Sequence, residues 1–220
     1  LIRGSKGVSI SLTEAATLML EWNIDVLRYA KEKGLYSTIG TNGYMTNKAL
    51  QCLIDAGLDA ANVDVKGCGR GVREECGLQQ EYIWKNIESI QNRGIHIELT
   101  TLVVPGLSDS DDCLRTIASR IKESLSPEIP WHVNRYFPSY LYKKPMTSLD
   151  RLLKAREIGY DTGLKYVYIG NVGEYNLEDT LCPNCGHLCI SRSNRSVNFV
   201  GINKDGICCN CGFDLNIRWL

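Results

Sequence analysis

The sequence predicts an α/β fold, a partial (βα)6 TIM-like barrel of parallel strands, followed by a small four-cysteine zinc ribbon. Three observations predict it. Short alternating apolar runs take turns with longer helical runs up to about residue 170, most of the helical runs close on a glycine, and two CxxC pairs end the chain. The expected division is a barrel over 1–175 and a ribbon over 176–220.

The elements follow in order. Val8, Ile10 and Leu12 alternate with serines, which reads as a strand over 8–12. A helix is expected over 17–33, with Gly34 at the position of a C-terminal cap. Residues 35–40 read as strand, 47–56 as helix stopped by Gly57, and 60–65 as the third strand. A helix over 81–93 ends at Gly94, and strand 95–104 ends at Pro105-Gly106. Ser108 or Asp109 is suited to cap a helix running to Leu125. Strand 131–136, helix 148–162 stopped by Gly163, and strand 166–169 complete the rhythm. Strands joined by helices in this way pair in parallel and are covered by helices.

Composition bounds the function classes. Lys+Arg and Asp+Glu both number 25, so no net field draws the chain to nucleic acid or to an anionic membrane. No apolar run approaches the roughly 18 residues of a membrane span, and the start of the chain lacks the layout of a signal peptide. Ten cysteines in such a chain fit a reducing compartment, and a cytoplasmic location is expected.

Cys182 and Cys185, then Cys208 and Cys211 after a 22-residue gap, form two CxxC pairs. Each pair wraps one edge of a tetrahedral ion, and the following Gly186 and Gly212 suit the turn toward the sulfurs. Zinc is the expected ion, in a structural role, because four thiolates leave no open position for substrate. The alternative is a pair of disulfides in a secreted chain. Cys52, Cys113, Cys189 and Cys209 are expected to pack or to stay free thiols.

Ligands of parallel α/β folds bind beyond the carboxyl ends of the strands. Polar or glycine-rich segments fall there: Thr41-Asn42-Gly43-Tyr44, Asp64-Val65-Lys66-Gly67, Val103-Val104-Pro105-Gly106 and Trp131-His132-Val133-Asn134-Arg135. Asn42-Gly43 is also an ordinary turn and Pro105-Gly106 an ordinary strand end. Asp64 and Lys66 share one face of their strand, so in a barrel interior they must pair with each other or with a ligand.

Those segments, with Asn62-Val63-Asp64-Val65-Lys66-Gly67, Thr100 to Leu107, Ile129-Pro130-Trp131-His132-Val133 and Gly163 to Tyr168, stand in an order that resembles one group. It is the AmmeMemoRadiSam-system radical SAM proteins, relatives of the pyruvate formate-lyase activating enzyme; the terminal cysteine ribbon is similar as well. The resemblance implies a partial barrel that binds a [4Fe-4S] cluster and S-adenosylmethionine and generates a 5′-deoxyadenosyl radical. It places Asn42 and Gly43 along the S-adenosylmethionine site, Asp64 and Lys66 at its polar groups, and Val104 on the adenine side. His132 joins them as a candidate, open between a site residue and a satisfied core histidine.

The sequence also departs from that group. Its cluster is held by CxxxCxxC after the first barrel strand, a spacing found nowhere in these 220 residues. The group's Asn-Glu-Pro-Thr appears as Thr13-Glu14-Ala15-Ala16-Thr17, which aligns either Glu14 or Ala15 with its glutamate. Its Phe-His-Pro becomes Tyr136-Phe137-Pro138, an apolar ring replacing an imidazole. The resemblance therefore implies a barrel lacking its first strand: the strand and loop carrying the cluster ligands are expected to be absent from this chain. Strand 8–12 would then be an open edge that a partner segment or a second chain could complete.

Two functional classes stay open: the C-terminal part of a radical S-adenosylmethionine enzyme, inactive alone, and a non-catalytic barrel remnant whose ribbon binds a partner. Among the remaining candidates, His96 is expected at the surface or between helices, and His187 near the metal or in solvent. The aromatic cluster Tyr136, Phe137, Tyr140 and Tyr142 is expected to pack. Arg192 and Arg195 are too few for nucleic-acid binding, and a protein or small-molecule substrate remains unread.

Overall fold

In the computed structural model, residues 6–10, 19–173, 176–193 and 196–217 are described. The first sheet holds six parallel strands in consecutive order: β1 (Gly7–Ile10), β2 (Tyr36–Thr41), β3 (Ala60–Asp64), β4 (His96–Val103), β5 (Trp131–Arg135) and β6 (Val167–Gly170). The crossovers are α1 (Leu20–Glu32), α2 (Asn47–Asp55), α3 (Gly69–Cys76) with α4 (Gln80–Asn92), α5 (Asp111–Arg120) and α6 (Leu149–Thr162). A consecutive parallel order is the order of an open barrel, with β1 and β6 at its edges.

The alternation read from the sequence sorts the two faces. Along β4, Ile97, Leu99, Thr101 and Val103 are buried, whereas His96, Glu98, Thr100 and Leu102 are half-buried. The buried rows pack with Ile83, Ile87, Ile90, Leu114, Ile117, Leu152 and Ile158 of the helices in one core. Trp131 lies wholly inside it, its indole N–H donating to Thr101 Oγ1 at 3.0 Å. The other face, carrying Asn62, Asp64, Glu98, Thr100, His132 and Tyr168, is the polar inner face.

Local chemistry sets the helix ends. Thr46, Ser110 and Ser148 cap α2, α5 and α6 by accepting the backbone N–H three residues on. The expected cap at Ser108 or Asp109 is corrected: Ser108 is buried, donating to the Leu102 carbonyl and accepting from Val104 N–H, while Asp109 accepts from Gly106 N–H. These bonds close the turn after β4 and leave Ser110 as the first residue free to cap. Beyond Arg120 the helix widens into a π turn, Ile121–Leu125. Helix α3 has no counterpart in the expectations; its glycine-rich start hides the helical period, and Gly77 ends it in the left-handed region.

A second, antiparallel sheet holds β7 (Thr180–Leu181), β8 (Leu188–Ser193) and β9 (Ser196–Phe199). It surrounds its own small core of Cys182, Cys189, Ile190, Cys208 and Leu215. Glu14, the far end of strand 8–12, the first turn of the helix expected from 17, and Arg195 lie outside the described residues. Among the described residues, no helix is long and apolar enough to cross a membrane.

Candidate functional site

At the carboxyl end of β3, Lys66 Nζ stands 2.7 Å from Asp64 Oδ2, both side chains largely buried. The shared face expected of this pair is realised as an ion pair. Gly67 then turns at φ +126, and a Cβ there would meet Ser108 Cβ at 2.8 Å, so only glycine fits.

Beside it, the loop after β2 is held by its own turn chemistry and by one distant amide. Asn42 Oδ1 accepts from Tyr44 N–H at 2.9 Å, and Thr41 Oγ1 accepts from Gly43 N–H at 3.1 Å. Gly43 is buried at φ +68, where a Cβ would meet Val63 Cγ1 at 2.8 Å. Asn86 of α4, 6% exposed, donates its side-chain amide to Gly43 O at 2.9 Å and Met45 O at 2.8 Å. Sequence reasoning missed Asn86, because one asparagine inside an amphipathic helix resembles a solvated one. Its lone polar position among the buried Ile83, Trp84, Ile87 and Ile90 was the available signal. Val104 is buried with its N–H bound to Ser108, so its backbone, more than its side chain, shapes the adjoining turn.

His132 is drawn elsewhere. Its Nε2 donates to Glu98 Oε2 at 2.8 Å, its ring stacks on Tyr168 at 5.2 Å between centroids, and His96 Nε2 reaches Glu98 Oε1 at 3.2 Å. The expected surface or inter-helix position of His96 is corrected. The alternation against Ile95 and Ile97 holds, but the opposite face is the concave interior of the sheet. Burial alone would raise the Glu98 carboxyl; hydrogen bonds from the two imidazoles outweigh it and hold the group far below the usual carboxylate range. Glu98, absent from the candidate residues, is thus the centre of a polar cluster on β4 and β5.

The ribbon closes over that cluster. Arg192 of β8 lies over the Tyr168 ring at 5.5 Å and donates to Thr180 Oγ1 and Glu178 O, both at 2.8 Å. Tyr168 and Thr180 hydroxyls are 3.0 Å apart, and Tyr166 OH donates to Leu215 O at 3.2 Å.

Cys182, Cys185, Cys208 and Cys211 come together as expected, all four Sγ atoms within 4.8 Å of one another. Cys182 and Cys211 sulfurs are 3.5 Å apart and those of Cys185 and Cys208 3.8 Å. A tetrahedral ion with metal–sulfur bonds of about 2.3 Å has sulfur–sulfur edges of about 3.8 Å, so the set fits a metal of that size. Gly186 and Gly212 take φ +72 and +74, the knuckle conformations that the spacing implies. Without a cation the thiols cannot ionise together. Burial pushes Cys182 up to about 12, whereas hydrogen bonds from Asn184 and from Phe213 N–H hold Cys211 low. Asn210 Nδ2 lies 3.4 Å from Cys185 Sγ, an outer amide of the kind that steadies a metal ligand.

One thiol expectation is corrected. Cys113 is not free: it forms a disulfide with Cys68, their Cα atoms 5.5 Å apart. The turn at Gly67 folds the segment after β3 back onto α5 and brings together two cysteines 45 residues apart. Cys52, Cys189 and Cys209 are free.

An open parallel α/β sheet with a charged inner face at its carboxyl ends, carrying a four-thiolate centre, defines the class. The Radical SAM superfamily profile matches residues 3–117, and the chain belongs to that superfamily. An uncharacterized protein of Methanocaldococcus jannaschii is 34% identical over 213 residues, 96% of this chain and 63% of that relative. Pyruvate formate-lyase-activating enzyme of Clostridium pasteurianum is 29% identical over 148 residues, 61% of this chain and 58% of that enzyme. The chain thus spans about three fifths of the length of these relatives. The crystal structure of a domain of pyruvate-formate lyase-activating enzyme from Bacteroides vulgatus superposes with a TM-score of 0.62 at 18% identity, covering 76% of this chain and all of that domain. At that identity the likeness shows the fold alone.

Proposed function

We propose that this chain is the S-adenosylmethionine-binding part of a radical enzyme similar to the pyruvate formate-lyase activating enzyme, with its cluster thiolates supplied from outside these residues. The observation that carries the reading is the Asp64–Lys66 pair, 2.7 Å apart at the carboxyl end of β3, in a chain of the Radical SAM superfamily.

The fit differs for the two groups that the superfamily implies. S-adenosylmethionine presents an ammonium, a carboxylate and a sulfonium. Asp64 offers an acceptor for the ammonium, Lys66 a cation for the carboxylate, and the loop fixed by Asn42 and Asn86 a wall beside them. When bound beside a reduced cluster, S-adenosylmethionine supplies a 5′-deoxyadenosyl radical for hydrogen abstraction. The [4Fe-4S] cluster does not fit this chain. Among the described residues, the thiolate group that could hold a metal is the ribbon set of four, which leaves no iron open to a ligand. Zinc in a structural role suits that set better.

What the chain itself does is bind and orient. The Asp64–Lys66 pair cancels its charge while the site is empty, and each member turns to a ligand group of opposite sign when one arrives. The runner-up, a partner-binding remnant, is separated from this reading by one measurement. Equilibrium dialysis of S-adenosylmethionine against the zinc-loaded chain should show one site per chain, weakened about tenfold or more in Lys66→Ala. Binding that is absent, or indifferent to Lys66→Ala and Asp64→Asn, would leave the remnant reading in its place.

A further inference from the structure

We propose that the cavity between the inner face of the sheet and the ribbon is a binding site for a small organic cation of the amine or guanidine class. It uses none of Asn42, Asp64 and Lys66, so it stands or falls apart from the cofactor reading. The cavity measures about 580 Å³, inside the roughly 300–1,000 Å³ of small-molecule sites. Its floor is His96, Glu98, His132 and Tyr168; the ribbon supplies Thr180 and Arg192 above them.

The polar equipment of this cavity is one-sided. Glu98 is ionised and accepts from both imidazoles through its two oxygens. An ionised carboxylate has no proton to give, so each ring carries its hydrogen on Nε2 and, when neutral, keeps a lone pair on Nδ1. Glu128 and Glu178 add two more carboxylates to the wall. Glu128 is shared with Lys165 at 2.6 Å, while Glu178 makes no ion pair among the described residues. The guanidinium on the wall, Arg192, is already engaged by Glu178 O, Thr180 Oγ1 and the Tyr168 ring.

The wall therefore offers acceptors, and its donors among the described residues are occupied. A ligand rich in N–H donors and carrying positive charge matches that inventory, because carboxylates pair with it. An anion would meet three carboxylates and, among the described residues lining the cavity, no disengaged cation.

The test is titration of the zinc-loaded chain with agmatine, which carries a guanidinium at one end and an ammonium at the other, in the absence of S-adenosylmethionine. Calorimetry gives affinity and stoichiometry, and the histidine ring signals in NMR give the place. The expected result is one-to-one binding that shifts His96 and His132 while His187 stays as internal reference. Spermidine should displace it, and glutarate at the same concentration should not. Glu98→Gln is expected to weaken binding about tenfold or more. Glu178→Ala, at an exposed position, is expected to weaken it about two- to fivefold. If Glu98→Gln fails to fold, the Glu178→Ala titration together with the ring shifts decides. No binding, binding that leaves the His96 and His132 rings unmoved, or affinity unchanged in the folded variants overturns the proposal.

Discussion

Asn86 carries a single side-chain amide across 43 residues to the loop after β2, and its removal is the sharpest perturbation the structure offers. In Asn86→Ala the Met45 carbonyl loses the donor it has from Asn86, while the Gly43 carbonyl keeps Met45 N–H at 3.1 Å, in a setting where Asn86 itself is 6% exposed. Each lost bond costs about 1 kcal/mol net, and that to Met45 up to about 3 kcal/mol if its carbonyl stays dry, so the loss should be about 2–4 kcal/mol. Asn86→Asp adds a pH signature. A carboxyl facing two carbonyl oxygens favours its protonated form, so its folded pKa is raised above the unfolded value. The variant should therefore hold its stability at acid pH and lose it as pH rises through that folded pKa. Urea denaturation of both variants against wild type at pH 5 and pH 8 measures this, with amide exchange of residues 43–45 reporting on the loop. An Asn86→Ala loss below about 0.5 kcal/mol, within the range of an ordinary surface change, would refute the reasoning. So would unchanged exchange in the loop.

Three further outcomes follow from the geometry. Chelation should release one metal ion per chain, identified by mass spectrometry of metals and expected to be zinc on the reading proposed above, and should unfold β7, β8 and β9 while the six-stranded sheet keeps its exchange protection, because the two cores are separate. Glu98 sits far below its ordinary pKa, so the stability it lends is complete above about pH 5 and fades as pH falls through the acid range. Amide exchange in β4 and β5 should show this, and Glu98→Gln should flatten it. Reduction of Cys68–Cys113, or Cys113→Ser, opens a loop of 45 residues, worth about 4 kcal/mol by chain entropy. The melting midpoint should drop in the oxidised wild type on adding reductant and stay fixed in the variant.

The legibility of this molecule differed from residue to residue. The six-strand rhythm was plain because buried parallel strands and glycine-stopped helices repeat one local pattern. The strand ends fell within about two residues of their observed places among the described residues. The four ribbon thiolates were legible because CxxC spacing is itself the geometry of a knuckle. Asp64 and Lys66 were legible as a pair because two residues apart on a strand means one face. Helix α3 was not, since three glycines in 67–71 mask its period.

What the sequence by itself determined is therefore everything that one segment dictates through its own period, caps and turns: the order of elements, the cysteine knuckles and the charged pair at the end of β3. What only the tertiary structure decided is every relation set by the curvature of the sheet and the seating of the ribbon on it. Whether His96 faces solvent or the interior, that Glu98 joins two imidazoles from neighbouring strands, that Cys68 meets Cys113 and that Asn86 reaches Gly43 all depend on distances between segments dozens of residues apart. Local periodicity tells which side of a strand a residue occupies, and only packing tells what lies on that side.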